Sequence, residues 1–225
     1  ASITGLTAGT YIATVTDALG CANVAFITLT QPTAVVASAT ATPTACNGSS
    51  NGTATATATG GTAGYTFLWS DGQTNATAIN LAAATYTVTA TDSQGCTATA
   101  TATVAEPTPV TVSATGINPL CNAADNGAAT ATATGGTPSY IYLWSNGNAN
   151  ANATNLIANT YTVTTTDSQG CTATTNITLV EPTPLTATNT STDPLCNGAT
   201  DGTASVTAAG GTPNYTYFWT NGQSS

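Results

Sequence analysis

The sequence has no Lys, Arg, His or Met, and its only charged side chains are nine acids, giving a net charge of −9. Each absence removes a class of function. Nucleic acids and anionic membrane surfaces need cations to meet phosphate, so neither is an expected partner. Without His or Lys the usual general bases are missing, and Ser–His–Asp or Cys–His pairs cannot be assembled. Zinc would have to rely on Cys and carboxylates alone. Paired carboxylates could still cleave a glycoside, but the acids sit singly. Asp17, Asp92 and Asp167 open turns that close on Gly, and Glu106 and Glu181 precede Pro. The chain therefore reads as a non-enzyme with no cofactor. Lys–Asn isopeptide staples are impossible, which leaves the disulfide as the available covalent staple. No run of about 20 apolar residues predicts a membrane span, and no helical period is found. Ala1 opens directly into strand-like sequence with no leader, so the chain is expected to be a window of a longer polymer. Its acidity would keep such polymers soluble and apart.

What is present is a period of 75 residues. Cys46, Cys121 and Cys196 keep that step, as do Cys21, Cys96 and Cys171, Trp69, Trp144 and Trp219, and Tyr11, Tyr86 and Tyr161. A unit of that size can hold its own core, and tandem copies make length: a stalk, tether or fibre. Pro-rich joints mark the boundaries, because Pro donates nothing to a sheet and stiffens an extended segment. The joint residues are Pro32, Pro107, Pro109, Pro182 and Pro184. They divide the chain into the C-terminal part of a repeat (1–31), complete repeats at 32–106 and 107–181, and the N-terminal part of a repeat (182–225).

Within 107–181 the sequence predicts strands at about 110–115, 128–134, 140–145, 153–156, 160–166 and 172–180, separated by Gly, Asn, Asp and Pro signals. Asp167–Gly170 suits a type I hairpin turn. In 128–134 Thr alternates with Ala, and Val206 stands at the equivalent of Ala131. The Ala face is therefore inside and the Thr face wet. Tyr140, Tyr142 and Trp144 share a face, as do Tyr161 and Val163, while Ile177 and Leu179 turn inward. Two packed antiparallel sheets satisfy this pattern. The fold class is all-β: tandem immunoglobulin-like antiparallel β-sandwich repeats. Trp69, Trp144 and Trp219 are read as core plugs. Tyr86 and Tyr161 occupy a segment that resembles the tyrosine corner of immunoglobulin-like domains. The competing reading of these aromatics is an exposed sugar-stacking platform.

Six cysteines at alternating spacings of 25 and 50 admit two regular pairings. If the loop after the first strand and the turn before the last strand lie at one end of the sandwich, Cys46 meets Cys96 and Cys121 meets Cys171. Cys21–Cys46 would instead span two strands, tens of ångströms at about 3.3 Å per residue, beyond the roughly 6 Å that a disulfide bridges. The expected bonds are thus Cys46–Cys96 and Cys121–Cys171, each closing about 51 residues and contributing about 4 kcal/mol in the chain-entropy model. They imply an oxidising compartment.

These residues carry a family resemblance. A C-N-G start, G-G-T-P-x-Y-x-Y-x-W-x-N-G, L-x-A-x-T-Y-x-V-x-x-T-D, then G-C and E-P-T-P recur across the chain, and together they resemble the SprB repeat. Gly60–Tyr65 departs by lacking Pro, and Ala84 and Asn159 stand where Gly is frequent. The resemblance implies a large surface protein of the Bacteroidetes exported by type IX secretion. Some such proteins are gliding-motility adhesins, and their repeats form the shaft while targets are bound elsewhere. The expected location is extracellular, on the bacterial cell surface.

The expected partners are neighbouring repeats of the same chain and identical chains in a filament, with no nucleic acid and no membrane insertion. Lateral assembly would use exposed edges and Thr-rich faces. Asn-x-Ser/Thr triplets, at Asn47 and Asn152 among others, follow from composition. Calcium at the joints lacks a D-x-D-x-D-G loop, ice binding lacks a short flat repeat, and Pro joints oppose amyloid stacking. The functional reading is a structural shaft adding about 35 Å per repeat. The alternative is a glycan-binding module repeated for avidity.

Overall fold

Thr and Val alternating with Ala favour the pleated, half-buried strand, and strands account for the regular structure. The computed structural model describes residues 1–224. A first hairpin pairs β1 (Gly9–Thr16) with β2 (Ala22–Leu29). The first complete repeat follows with β3 (Val36–Thr42), β4 (Gly52–Thr59), β5 (Thr66–Trp69), β6 (Thr77–Leu81), β7 (Ala84–Thr91) and β8 (Thr97–Val104). The second has β9 (Thr111–Ile117), β10 (Gly127–Thr134), β11 (Ile141–Trp144), β12 (Asn152–Leu156), β13 (Asn159–Thr166) and β14 (Thr172–Leu179). A last hairpin pairs β15 (Thr186–Thr192) with β16 (Thr203–Ala209).

Each complete repeat is two three-stranded antiparallel sheets, β3-β4-β6 with β5-β7-β8 and β12-β10-β9 with β11-β13-β14. This is the immunoglobulin-like sandwich arrangement. By spatial contact the chain divides into two units, one of Ala1–Thr44 with Gly48–Glu106, the other of Ala45–Asn47 with the chain from Pro107 onward.

Each core is built from small residues around one indole. In the first repeat Ala54, Ala56, Ala78, Leu81, Val88, Ala102 and Val104 surround Trp69. In the second Ala129, Ala131, Ala153, Leu156, Tyr161, Val163 and Leu179 surround Trp144. Ala54 and Ala56 of β4 and Ala129 and Ala131 of β10 face inward. The threonines that alternate with them face outward, and exposed hydroxyls bond across strands, as in Ser38–Thr57 at 2.7 Å, Thr85–Thr103 at 2.9 Å and Thr160–Thr178 at 2.8 Å.

The Gly-Gly pair after β4, β10 and β16 is explained by close approach. Gly60, Gly135 and Gly210 have φ near +75°, and a Cβ there would lie 2.0 Å from the carbonyl oxygen of Ala34, Pro109 or Pro184. The second glycine of each pair donates its N–H to a joint threonine, Gly61 to Thr33 at 2.7 Å and Gly136 to Thr108 at 2.8 Å. The joint is thereby fastened to the turn that ends the second strand of the repeat it enters.

The strand directions correct the cysteine pairing. β12 runs antiparallel to β10 and ends beside its start, with Leu156 opposite Gly127. Residues 145–151 therefore carry the chain back along the sandwich before β12 begins. That extra traverse reverses the end at which β13 finishes. The β13–β14 turn lies against the β10–β11 loop, where Thr137 N donates to Asp167 Oδ2 at 2.8 Å. The β9–β10 loop lies at the opposite end, beside Glu181. Cys121 and Cys171 are thus at opposite ends of one sandwich, as are Cys46 and Cys96 in the repeat before. Neither expected bond, Cys46–Cys96 or Cys121–Cys171, forms.

Candidate functional site

The disulfide present joins Cys46 to Cys171, with Cα atoms 5.6 Å apart at a sequence separation of 125. Cys46 is carried on the loop between β3 and β4, in the three-residue segment Ala45–Asn47 that groups with the second unit. Cys171 closes the β13–β14 turn of the following repeat. The bond therefore links the first-loop cysteine of one repeat to the last-turn cysteine of the next. Cys21, Cys96, Cys121 and Cys196 are exposed thiols.

Both halves of the bond are held by carboxylates acting as collectors of backbone N–H groups. In the last turn, Asp167 Oδ1 accepts from Gln169 N and Cys171 N, each at 2.9 Å, while Oδ2 accepts from Thr137 N. Asp92 does the same with Gln94, Cys96 and Thr62. Both aspartates are buried. Their pKa values lie below the ordinary aspartate value, chiefly through the hydrogen bond from Thr62 or Thr137, and burial opposes this. Gly95 and Gly170 close the turns with φ +85°, each donating to the opening aspartate's carbonyl.

The first loop is tied to the joint that follows its repeat. Glu181 accepts from Ala123 N at 2.7 Å and Asn122 Nδ2 at 2.8 Å, and Asn122 Nδ2 also reaches Pro182 O at 3.3 Å. Glu106 accepts from Gly48 N at 2.7 Å, and Asn47 Nδ2 donates to Pro107 O at 3.2 Å. The glutamates before Pro and the aspartates that open the last turns collect backbone N–H groups, a role that their place before Pro or at the start of a turn did not disclose in the sequence. Their signal was recurrence at the 75-residue step without any acidic neighbour.

The other predicted residues fall as follows. Trp69 and Trp144 are 2% and 1% exposed, and each indole N–H donates to a backbone carbonyl, of Asn75 at 3.0 Å and Asn150 at 2.9 Å. Trp219 is half-buried. Tyr161 is buried and Tyr86 half-buried, with each hydroxyl donating to the carbonyl four residues earlier, Ile157 at 3.1 Å and Ala82 at 3.2 Å. Pro32, Pro107, Pro109, Pro182 and Pro184 all lie outside strands, with Pro107 and Pro182 half-buried and the others exposed. Among the described residues no group of three or more His, Cys, Asp or Glu is arranged to hold a metal ion. No helix there is long and apolar enough to cross a membrane.

These features define tandem β-sandwich repeats with one disulfide, Cys46–Cys171. The protein-family model "SprB repeat" matches three times, at residues 38–74, 111–149 and 188–224, and the chain belongs to that family. No curated protein matches. Among solved structures, the chain is similar to the N-terminal eight Ig domains of Down Syndrome Cell Adhesion Molecule isoform 1.30.30. The TM-score is 0.35 at 14% identity, over 78% of this chain and 27% of that one. The chain thus spans about a quarter of that structure's length.

Proposed function

We propose that this chain is part of the structural shaft of a large secreted cell-surface adhesin or extracellular filament, holding a binding element away from the cell. The observation that carries the reading is the Cys46–Cys171 bond, which ties one repeat to the next. A repeated binding module needs no such tie, whereas a shaft gains continuity from it. Three further features support the reading. The joints are fastened by Glu106, Glu181 and the Gly-Gly turns. The outward strand faces carry short threonine side chains that bond to each other. Trp69 and Trp144 are buried and unavailable to stack on sugars. Membership of the SprB family supports surface display, and gliding or surface attachment are its natural settings. Disulfides persist in oxidising surroundings, which suits a location outside the cell.

The test is electron microscopy of chains with increasing numbers of identical repeats. The shaft reading expects thin rods that lengthen by about 35 Å per repeat, from strands of about eight residues at about 3.3 Å plus loops. Lengths that do not grow with repeat number would overturn it.

A further inference from the structure

A sheet edge carries unpaired N–H and C=O groups that invite another strand unless something guards them. In the second repeat β9 and β14 lie together, so the sandwich keeps β11 and β12 as the edges of its other side. β12 is guarded by a bulge at Asn155, whose φ is +57°. β11 has no Pro, no bulge and no charge, and residues 140–151 hold no acid. Ser145 N donates to Thr162 O at 2.8 Å. The alternation of an antiparallel ladder then turns the backbone groups of Ile141 and Leu143 toward β13 and those of Tyr142 and Trp144 to the open side. A tight turn takes those of Trp144, whose N–H donates to Asn148 O and whose carbonyl accepts from Gly147 N. The N–H and C=O of Tyr142 are left with no partner among the described residues. On either side of them Ile141 and Leu143 stand out from the sheet, 70% and 58% exposed.

We propose that this edge is where a second copy of the chain joins side by side, β11 against β11, antiparallel and centred on Tyr142. The pattern is symmetric, one apolar side chain on each side of one open residue, so a two-fold related copy is its complement. Tyr142 exchanges both backbone hydrogen bonds with Tyr142 of the second copy. Ile141 then lies opposite Leu143 of the second copy, and Leu143 opposite its Ile141, so all four apolar side chains are covered in cross-strand pairs. Two three-stranded sheets become one of six strands. No charge on the edge opposes the meeting of two acidic chains. A foreign strand would need the same apolar–open–apolar spacing, which a second copy already carries. The first repeat shows a guarded form of the same edge. There Thr66 stands at the place of Ile141 and Asp71 at that of Asn146, beside an open groove between residues 66–68 and 74–76. A four-residue edge makes a small contact, so the pairing is weak and reversible. The inference names the lateral partner within the filament reading and rests on that reading only for its setting.

The experiment uses the full-length chain with Cys21, Cys96, Cys121 and Cys196 changed to Ser, which keeps the Cys46–Cys171 bond and removes the exposed thiols. Sedimentation over rising concentration should show dimers. Ile141→Thr with Asn146→Asp gives the second repeat residues that the first already folds with, and should raise the concentration needed for dimers about tenfold. Equal association of variant and parent overturns the proposal. So do monomers throughout, which would leave the edge to a strand of another protein. The register is read by adding Ile141→Cys to one batch and Leu143→Cys to another, in a buffer of oxidised and reduced glutathione. Opposed positions would have Cα atoms about 4.5 Å apart, within disulfide reach. The mixture should therefore form covalent dimers linking position 141 to position 143, and either batch alone should form few. Links dominated by 141 to 141 or 143 to 143 overturn the proposal. Rod length against repeat number does not depend on lateral pairing, so a failure here and a failure of the shaft reading can be told apart.

Discussion

Reducing the Cys46–Cys171 bond should change how far the chain can be pulled, by an amount the sequence separation sets. With the bond intact, tension applied at the two ends runs from the N-terminal side to Cys46, crosses to Cys171, and leaves through β14 and the last hairpin. The segment between the cysteines, a sequence separation of 125, is shielded. Only the roughly 100 residues outside the bond can extend, about 360 Å at about 3.6 Å per residue. Reduction should release about 450 Å more, on the same scale. The bond should also stabilise the chain by about 5 kcal/mol in the chain-entropy model for a loop of this length. The assay is single-molecule stretching between terminal handles, with and without a thiol reductant, alongside urea unfolding of Cys46→Ser. Equal final lengths in both buffers would mean that the bond shields no segment of the chain.

Three further outcomes follow from the cores and turns. Trp144→Ala should destabilise the second repeat by about 3–5 kcal/mol, since one indole packs against Ala, Val, Leu and Tyr161 in the core; urea unfolding followed by circular dichroism reads this. Thr165 has a fully buried hydroxyl with no hydrogen-bond partner, and its equivalents are Ala90 and Val15, so Thr165→Val should stabilise by about 1–2 kcal/mol, seen as a raised melting temperature. Asp92 and Asp167 have folded pKa values below the unfolded value of about 3.9. Their contribution is complete above that unfolded value and is lost as pH falls through the lower folded values. Urea midpoints should therefore hold from pH 7 to about 5 and fall below about 4, and Asp92→Asn with Asp167→Asn should flatten that fall.

Faces and strands were legible in the sequence because alternation has a physical cause: side chains on a strand point to opposite sides at each step. A single residue, Val206 in place of Ala, was enough to say that the alanine face is inside. The strands expected over 107–181 lie within two residues of those found. Direction was not legible. Alternation says which face a residue takes, not which way the strand runs, and the return of residues 145–151 along the sandwich leaves no periodic trace. That segment is fixed by Trp144 N bonding Asn148 O and Ala131 N bonding Ala151 O, contacts that depend on the assembled sheets. One unseen traverse moved the last turn to the other end and carried the cysteine pairing with it. The role of the glutamates was hidden for a related reason: Glu106 and Glu181 act on backbone N–H groups 58 residues away, a distance at which sequence carries no local signal.

Non-reducing peptide mapping of the native protein tests directly whether a disulfide runs from one repeat to the next. Chymotrypsin is the protease to use, since trypsin has no site in a chain without Lys or Arg. A peptide containing Cys46 joined to Cys171 is the expected product. Peptides joining Cys46 to Cys96 and Cys121 to Cys171 would contradict it, returning each repeat to a self-contained unit and removing the covalent continuity on which the shaft reading stands.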